Sequence, residues 1–104
     1  MADRYRVIIT PRALADLEEI HQYIAQDSEQ NAAAFVAKLI NAFDSLEQFP
    51  QRYRVYSGKR KLSEAVRRMP VSPYLIYYRV QEKKQAADII TIRHGARRQP
   101  RRIE

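Results

Sequence analysis

The apolar residues of this chain change their rhythm once, and Pro50 stands at the change. From Pro11 to Phe49 they recur every three or four positions, which is helical spacing. From Ala65 onward they come as β-branched and aromatic runs separated by prolines and charged turns, the pattern of strands. A chain ordered this way folds as α+β, helices first and sheet second.

Within the helical half, Thr10 can cap a helix whose first position is Pro11, where a missing N–H costs nothing. Ala13, Leu14, Leu17, Ile20 and Ile24 then make one apolar stripe. Asp27-Ser28 interrupts the pattern, and either residue can cap a second helix carrying Ala32, Phe35, Leu39, Ala42, Phe43, Leu46 and Phe49. Two helices so close in sequence run antiparallel, so residues 11–49 are expected to form a helical hairpin.

Tyr5 to Ile9 (YRVII) reads as a short strand ahead of that hairpin, within a segment 1–10. Residues 50–64 lack a period and hold Arg52, Arg54, Lys59, Arg60 and Lys61, a basic connector. An antiparallel sheet of about three further strands is expected over 65–97. Its first strand begins near Ala65 and runs to Met69, ahead of Pro70 and Pro73, which oppose a regular central strand. Tyr74 to Val80 and Asp88 to Arg93 form a hairpin turned on Lys83-Lys84, which sets Arg79 opposite Asp88. That register places Leu75, Tyr77, Arg79, Ile90, Ile92 and His94 on one face. Tyr74, Ile76, Tyr78, Val80, Ile89, Thr91 and Arg93 fall on the other. Residues 98–104 are a basic tail, and the whole of 1–104 is one domain.

Charge is divided as sharply as period. Residues 1–51 hold four Lys/Arg against eight Asp/Glu, and residues 52–104 hold fifteen against four, so net −4 faces net +11. A field of this kind attracts an anionic surface to one side of the molecule. The absence of cysteine excludes disulfides and thiol chemistry. His21 and His94 lie 73 residues apart, and the glycines are only at 58 and 95, so neither a metal centre nor a Gly-rich phosphate loop is expected, and no cofactor. There is no apolar run of signal-peptide length at the start and none of membrane-spanning length elsewhere, so a cytoplasmic protein without a membrane partner is expected.

His94 is the candidate for chemistry. It ends the last strand with Arg93, Arg97 and Arg98 as neighbours, and an imidazole among arginines could serve as a general base toward a phosphodiester. The acid that such cleavage also needs is not evident in the tail, because arginine holds its proton too tightly. Arg67 and Arg68 alternate in direction on a strand, so at most one joins Arg79 and Arg93 on a cationic sheet face. His21 reads as a residue at the boundary of the hairpin, and most of the seven tyrosines as packing residues with hydroxyls at the rim.

Four stretches carry a family likeness: Ala13 to Ala25 (ALADLEEIHQYIA), Phe49 to Arg54 (FPQRYR), Pro73 to Val80 (PYLIYYRV) and Ile92 to Arg98 (IRHGARR). In this order and spacing the chain resembles the RelE/ParE superfamily of toxins from bacterial type II toxin–antitoxin modules, its ParE-like branch above all. The resemblance implies a small basic toxin neutralised as a hetero-oligomer by a cognate antitoxin with an amphipathic, acid-containing tail. For the ParE-like branch it implies inhibition of DNA gyrase without catalysis. For the RelE-like branch it implies metal-independent cleavage of messenger RNA on the ribosome, with His94, Arg67 and Arg68 at or near catalytic positions. The C-terminal tyrosine of many such nucleases is absent here. A third possibility is a non-toxic binding module of an antitoxin complex. Arg79, Arg93, Arg97, Arg98, Tyr74 and Tyr77 are the nominated partner-binding residues, and His94, Arg67 and Arg68 are nominated as catalytic only under the nuclease alternative.

Overall fold

The computed structural model describes residues 4–57, 65–97 and 99. Strand β1 (Arg6–Ile9) leads into helix α1 (Pro11–Ala25), followed by α2 (Glu29–Asp44) and two single 3₁₀ turns at Ser45–Glu47 and Pro50–Arg52. Strands β2 (Val55–Ser57), β3 (Val66–Val71), β4 (Tyr74–Gln81) and β5 (Ala86–His94) follow among the described residues. They form one sheet in the order β1-β5-β4-β3-β2.

Both helices start where a side chain can accept an otherwise unpaired amide. Thr10 Oγ1 accepts from Ala13 N (3.3 Å) with Pro11 inside the first turn, and Ser28 Oγ accepts from Asn31 N (3.1 Å). The hairpin buries Leu17 and Ile20 of α1 and Leu39 and Phe43 of α2 against Met69, Ile76, Tyr78, Val80, Ile89 and Ile92 of the sheet. A smaller cluster of Val66, Tyr77 and Ile90, with Tyr56 and Leu75 packed on it, lies apart from this core.

Several expectations are corrected. The sheet is mixed, because β1 pairs with β5 in parallel, Arg6 beside Ala86 through Ile9 beside Ile89. A parallel neighbour so distant in sequence leaves no local pattern to read. The basic connector holds a strand of its own, β2, which pairs with β3 at Val55–Arg67 and Ser57–Val66; Lys59, Arg60 and Lys61 lie outside the described residues. Pro70 sits inside β3, opposite Leu75, on the stretch that β2 no longer flanks, so its missing N–H interrupts no ladder on that side. Helix α2 stops at Asp44, and Phe49 leaves the apolar stripe: it is 75% exposed and left-handed (φ 51°).

The hairpin register holds from Gln81–Ala86 to Tyr78–Ile89, including Arg79 opposite Asp88, and then slips by one. Tyr77 faces Thr91, Ile76 faces Ile92, Leu75 faces Arg93 and Tyr74 faces His94, leaving Ile90 as the extra residue of a bulge. The predicted faces therefore fail beyond Ile90. Ile92 and His94 share the side of Ile76 and Tyr74, and Arg93 shares that of Leu75 and Tyr77. The expected Arg79–Asp88 ion pair does not form, since Asp88 accepts from Gln81 Nε2 (2.6 Å) instead.

Candidate functional site, a cationic cleft beside the last strand

Strand β1 covers β5 only as far as Ile89, after which the chain turns away through Thr10 into α1. Thr10 Oγ1 donates to Ile89 O (2.7 Å), so α1 is tied to β5 at the point where strand pairing ends. Beyond it, Asp16 accepts from Thr91 Oγ1 (2.5 Å) and from Ile92 N (3.0 Å). The edge of β5 thus has an amide satisfied by a helix side chain rather than by another strand. Between the two elements lies a cleft of about 340 Å³.

Its walls join the two charge regimes of the sequence. Helix α1 contributes Arg12, Asp16, Glu19, Ile20 and Tyr23; β5 contributes Thr91, Ile92, Arg93 and His94; Tyr74 and Arg97 close the end. Burial raises the Tyr74 hydroxyl above its usual value, the neighbouring Tyr23 adds to the rise and Arg97 opposes it. The ring of His94 stands edge-on to Tyr74, with centroids 5.1 Å apart. His94 Nδ1 accepts the amide of Ala96 at 3.0 Å. With that lone pair engaged, a neutral imidazole carries its proton on Nε2 and presents a donor.

None of Arg12, Arg93 and Arg97 makes an ion pair among the described residues. The Nε atoms of Arg93 and Arg79 are buried and have no hydrogen-bond partner there. Arg67 is engaged elsewhere: its Nη1 donates to Gln51 O (3.0 Å) and Tyr53 O (2.8 Å), in the row of β3 that pairs with Tyr78. Arg68, one residue on, points to the other face and lies over the Tyr56 ring, 4.6 Å from its centroid. His94 is in the row of Tyr74, four residues along β4 from the row of Tyr78, or roughly 13 Å at ~3.3 Å per residue. Arg67, Arg68 and His94 therefore do not converge.

Of the nominated partner-binding residues, the cleft is lined by Tyr74, Arg93 and Arg97, with Arg93 in the row of Leu75 on the opposite face of the sheet. Arg79 sits on the face away from the helices, Tyr77 is fully buried with its hydroxyl donating to Gln99 Oε1 (2.7 Å), and Arg98 lies outside the described residues. Burial also raises the Tyr77 hydroxyl, against the lowering influence of Arg68. Sequence reasoning missed Arg12, Asp16, Glu19 and Tyr23. Their signal was the spacing i, i+4, i+7, i+11, which aligns them along one side of α1.

The sequence model of the ParE toxin of the type II toxin–antitoxin system parDE matches residues 7–99, nearly the whole chain. The protein belongs to the ParE toxin family. Within the RelE/ParE superfamily it is 40% identical over 92 residues to Toxin RelE2 of Caulobacter vibrioides, a match covering 88% of this chain and 97% of that one. The fold of this ParE-family chain is also that of the chromosomal ParDE TA system of P. aeruginosa (TM-score 0.69, 19% identity, 89% of this chain and 98% of that chain). A RelE–RelB complex from Pyrococcus horikoshii superposes similarly (TM-score 0.66, 18% identity, 91% and 99%). The α+β arrangement of two helices and a mixed five-stranded sheet is thus the superfamily's, and the chain is a type II toxin–antitoxin toxin.

Proposed function

We propose that this ParE-family toxin arrests growth in the cytoplasm by binding its target, not by cutting RNA, and that the target is DNA gyrase. A cognate antitoxin neutralises it in a hetero-oligomer. The observation that carries the non-catalytic reading is the Ala96 amide on His94 Nδ1, which leaves the imidazole a donor where a nuclease needs a base. The distance between His94 and Arg67, and the opposite direction of Arg68, support the same reading. Gyrase follows from the resemblance to the ParE-like branch. Complexes with an antitoxin among the structures of the same fold support the antitoxin partner.

One observation favours the nuclease alternative: His94, Tyr74 and three arginines do share a cleft, and a tyrosine could supply the acid the tail lacks. The test is to express the chain without antitoxin and follow growth. In parallel, supercoiling and cleavage complexes are measured with purified gyrase, and transcript ends are mapped in a translating extract. Growth arrest, inhibited supercoiling and intact transcripts are expected. His94→Ala should retain activity that truncation after Gly95 removes. Transcript cutting abolished by His94→Ala would install the ribosome-dependent endoribonuclease instead, and normal growth would leave only a binding module.

A further inference from the structure

We infer that the ring of Phe49 is an anchor for the protein on which this toxin acts, seated in an apolar pocket of that partner. The inference rests on the reading above that growth arrest comes from binding a protein target, and adds to it one residue that makes the contact.

Among the described residues Phe49 is the most exposed large hydrophobic, at 75%. Its backbone is left-handed, a conformation that a residue with a Cβ adopts only when its surroundings enforce it. Those surroundings are side-chain donors on both sides of the turn. Arg52 donates to the carbonyls of Gln48 (2.7 Å) and Phe49 (3.1 Å), and its Nη2 to Ser45 Oγ (2.9 Å). From the sheet, the Tyr78 hydroxyl donates to Pro50 O, and Arg67 donates to Gln51 O and Tyr53 O. The ring is thus held out in one direction by a rigid turn, and little conformational freedom remains to be lost when it is buried against a partner. Within the chain the strained, exposed ring gains almost no burial, so the fold itself does not account for it.

The chemistry of the partner follows from the collar around the ring. From residue 44 to residue 52 the charged side chains are Asp44, Glu47 and Arg52, and Arg4 reaches Glu47 at 3.6 Å, so two acids stand against two bases. A nucleic-acid strand is drawn to net positive charge and stacks its bases on several rings, and here the collar is neutral and the ring stands alone. An aromatic anchor inside neutral contacts that exclude water is instead the arrangement that dominates protein interfaces. A projecting ring also needs a socket, which a folded surface can form and an extended antitoxin tail cannot. The anchor lies far from the cleft beside β5. Gln51, two residues on, donates to Glu82 (3.1 Å) at the β4–β5 turn, and β5 runs from there to His94 over roughly 26 Å at ~3.3 Å per residue.

The experiment compares the full native chain with Phe49→Asn, which suits the left-handed backbone but removes the ring, and with Phe49→Tyr, which keeps it. Each is checked by circular dichroism and thermal melting. Inhibition of purified gyrase, affinity for the full-length antitoxin encoded beside the gene, and growth arrest on induction are then measured. Phe49→Asn is expected to melt no lower than the native chain, to need about 10-fold more protein for half-inhibition, and to keep antitoxin affinity within about 2-fold. Phe49→Tyr should recover most of the inhibition. A variant that melts higher and acts less has not lost its action by unfolding. Inhibition by Phe49→Asn equal to the native chain's would overturn the anchor. So would an equal loss of antitoxin affinity, or binding of a single-stranded 12-mer of RNA or DNA that depends on the ring. If the native chain arrests growth without touching gyrase, the gyrase reading fails and the anchor is judged on growth: arrest retained by Phe49→Asn overturns it, and arrest lost supports it. Normal growth with the native chain would sink both.

Discussion

The carboxylate of Asp16 accepts the main-chain N–H of Ile92 at 3.0 Å, so a helix side chain does for β5 at Ile92 what β1 does for it up to Ile89. The same oxygen takes the hydroxyl of Thr91, which is 1% exposed. Removing the carboxylate leaves two donors with no acceptor beside an edge strand. Asp16→Ala is therefore expected to lower stability by about 1–3 kcal/mol, seen as a fall in the urea midpoint at unchanged slope. Asp16→Asn keeps an acceptor oxygen and should lose less. Equal losses for the two variants would show that the hydrogen bonds are not what Asp16 contributes.

Tyr78 gives the fold a dependence on alkaline pH. Its ring is fully buried, its hydroxyl donates to Pro50 O (2.5 Å), and burial pushes its pKa from the ordinary 10.0 up to about 12 in spite of Arg67 and Arg52. The folded state thus holds this proton more tightly than the unfolded chain does. Its contribution is complete below pH 10 and is lost as pH rises through about 12. Unfolding free energy measured from pH 9 to 12 should fall across that window. Tyr78→Phe should start about 1 kcal/mol lower, with Pro50 O left unpaired, and decline less steeply. A parallel decline would assign the slope to Tyr74 and Tyr77, which burial also raises.

Much of this architecture was legible because helical period and capping residues are local. Thr10-Pro11 and Ser28 start helices, and the Lys83-Lys84 turn fixes the first half of the β4–β5 register. The bulge was not legible. Ile89, Ile90, Thr91 and Ile92 suit a strand equally well on either face, so nothing in their side chains marks where the extra residue falls. The cleft was half legible. Arg93, His94 and Arg97 stood out as a charged strand end, but nothing local singled out Arg12, and Tyr23 read as one more packing tyrosine until the parallel β1–β5 pairing brought α1 alongside.

Arg67 and Arg68 are adjacent in sequence and opposite in duty. Arg67 ties two carbonyls of the loop after α2 to the sheet, so Arg67→Met should cost about 1.5–3 kcal/mol, the range of hydrogen bonds from a charged donor. Arg68 lies over Tyr56 at the rim, and Arg68→Met should cost under about 1 kcal/mol. Chemical denaturation of the two variants distinguishes them. If Arg68→Met proved the more damaging, Arg67 would not be the residue that holds the loop.

Phe49 is held in a conformation that its own residue type disfavours. It is left-handed at φ 51°, ψ 53°, immediately before Pro50, and its ring is 75% exposed. Arg52 keeps it there, with Nη1 donating to the carbonyls of Gln48 (2.7 Å), Phe49 (3.1 Å) and Ser45 (3.2 Å). A left-handed residue with a Cβ costs about 1–2 kcal/mol, less for asparagine, and an exposed ring returns little of that through burial. Phe49→Asn is expected to stabilise the fold by about 0.5–1 kcal/mol, a rise of a few degrees in Tm for a domain of this size. Arg52→Ala should do the reverse, since it frees the loop without relieving the backbone. A drop in Tm for Phe49→Asn would mean that the ring, and not the arginine clamp, is what sets the course of the loop.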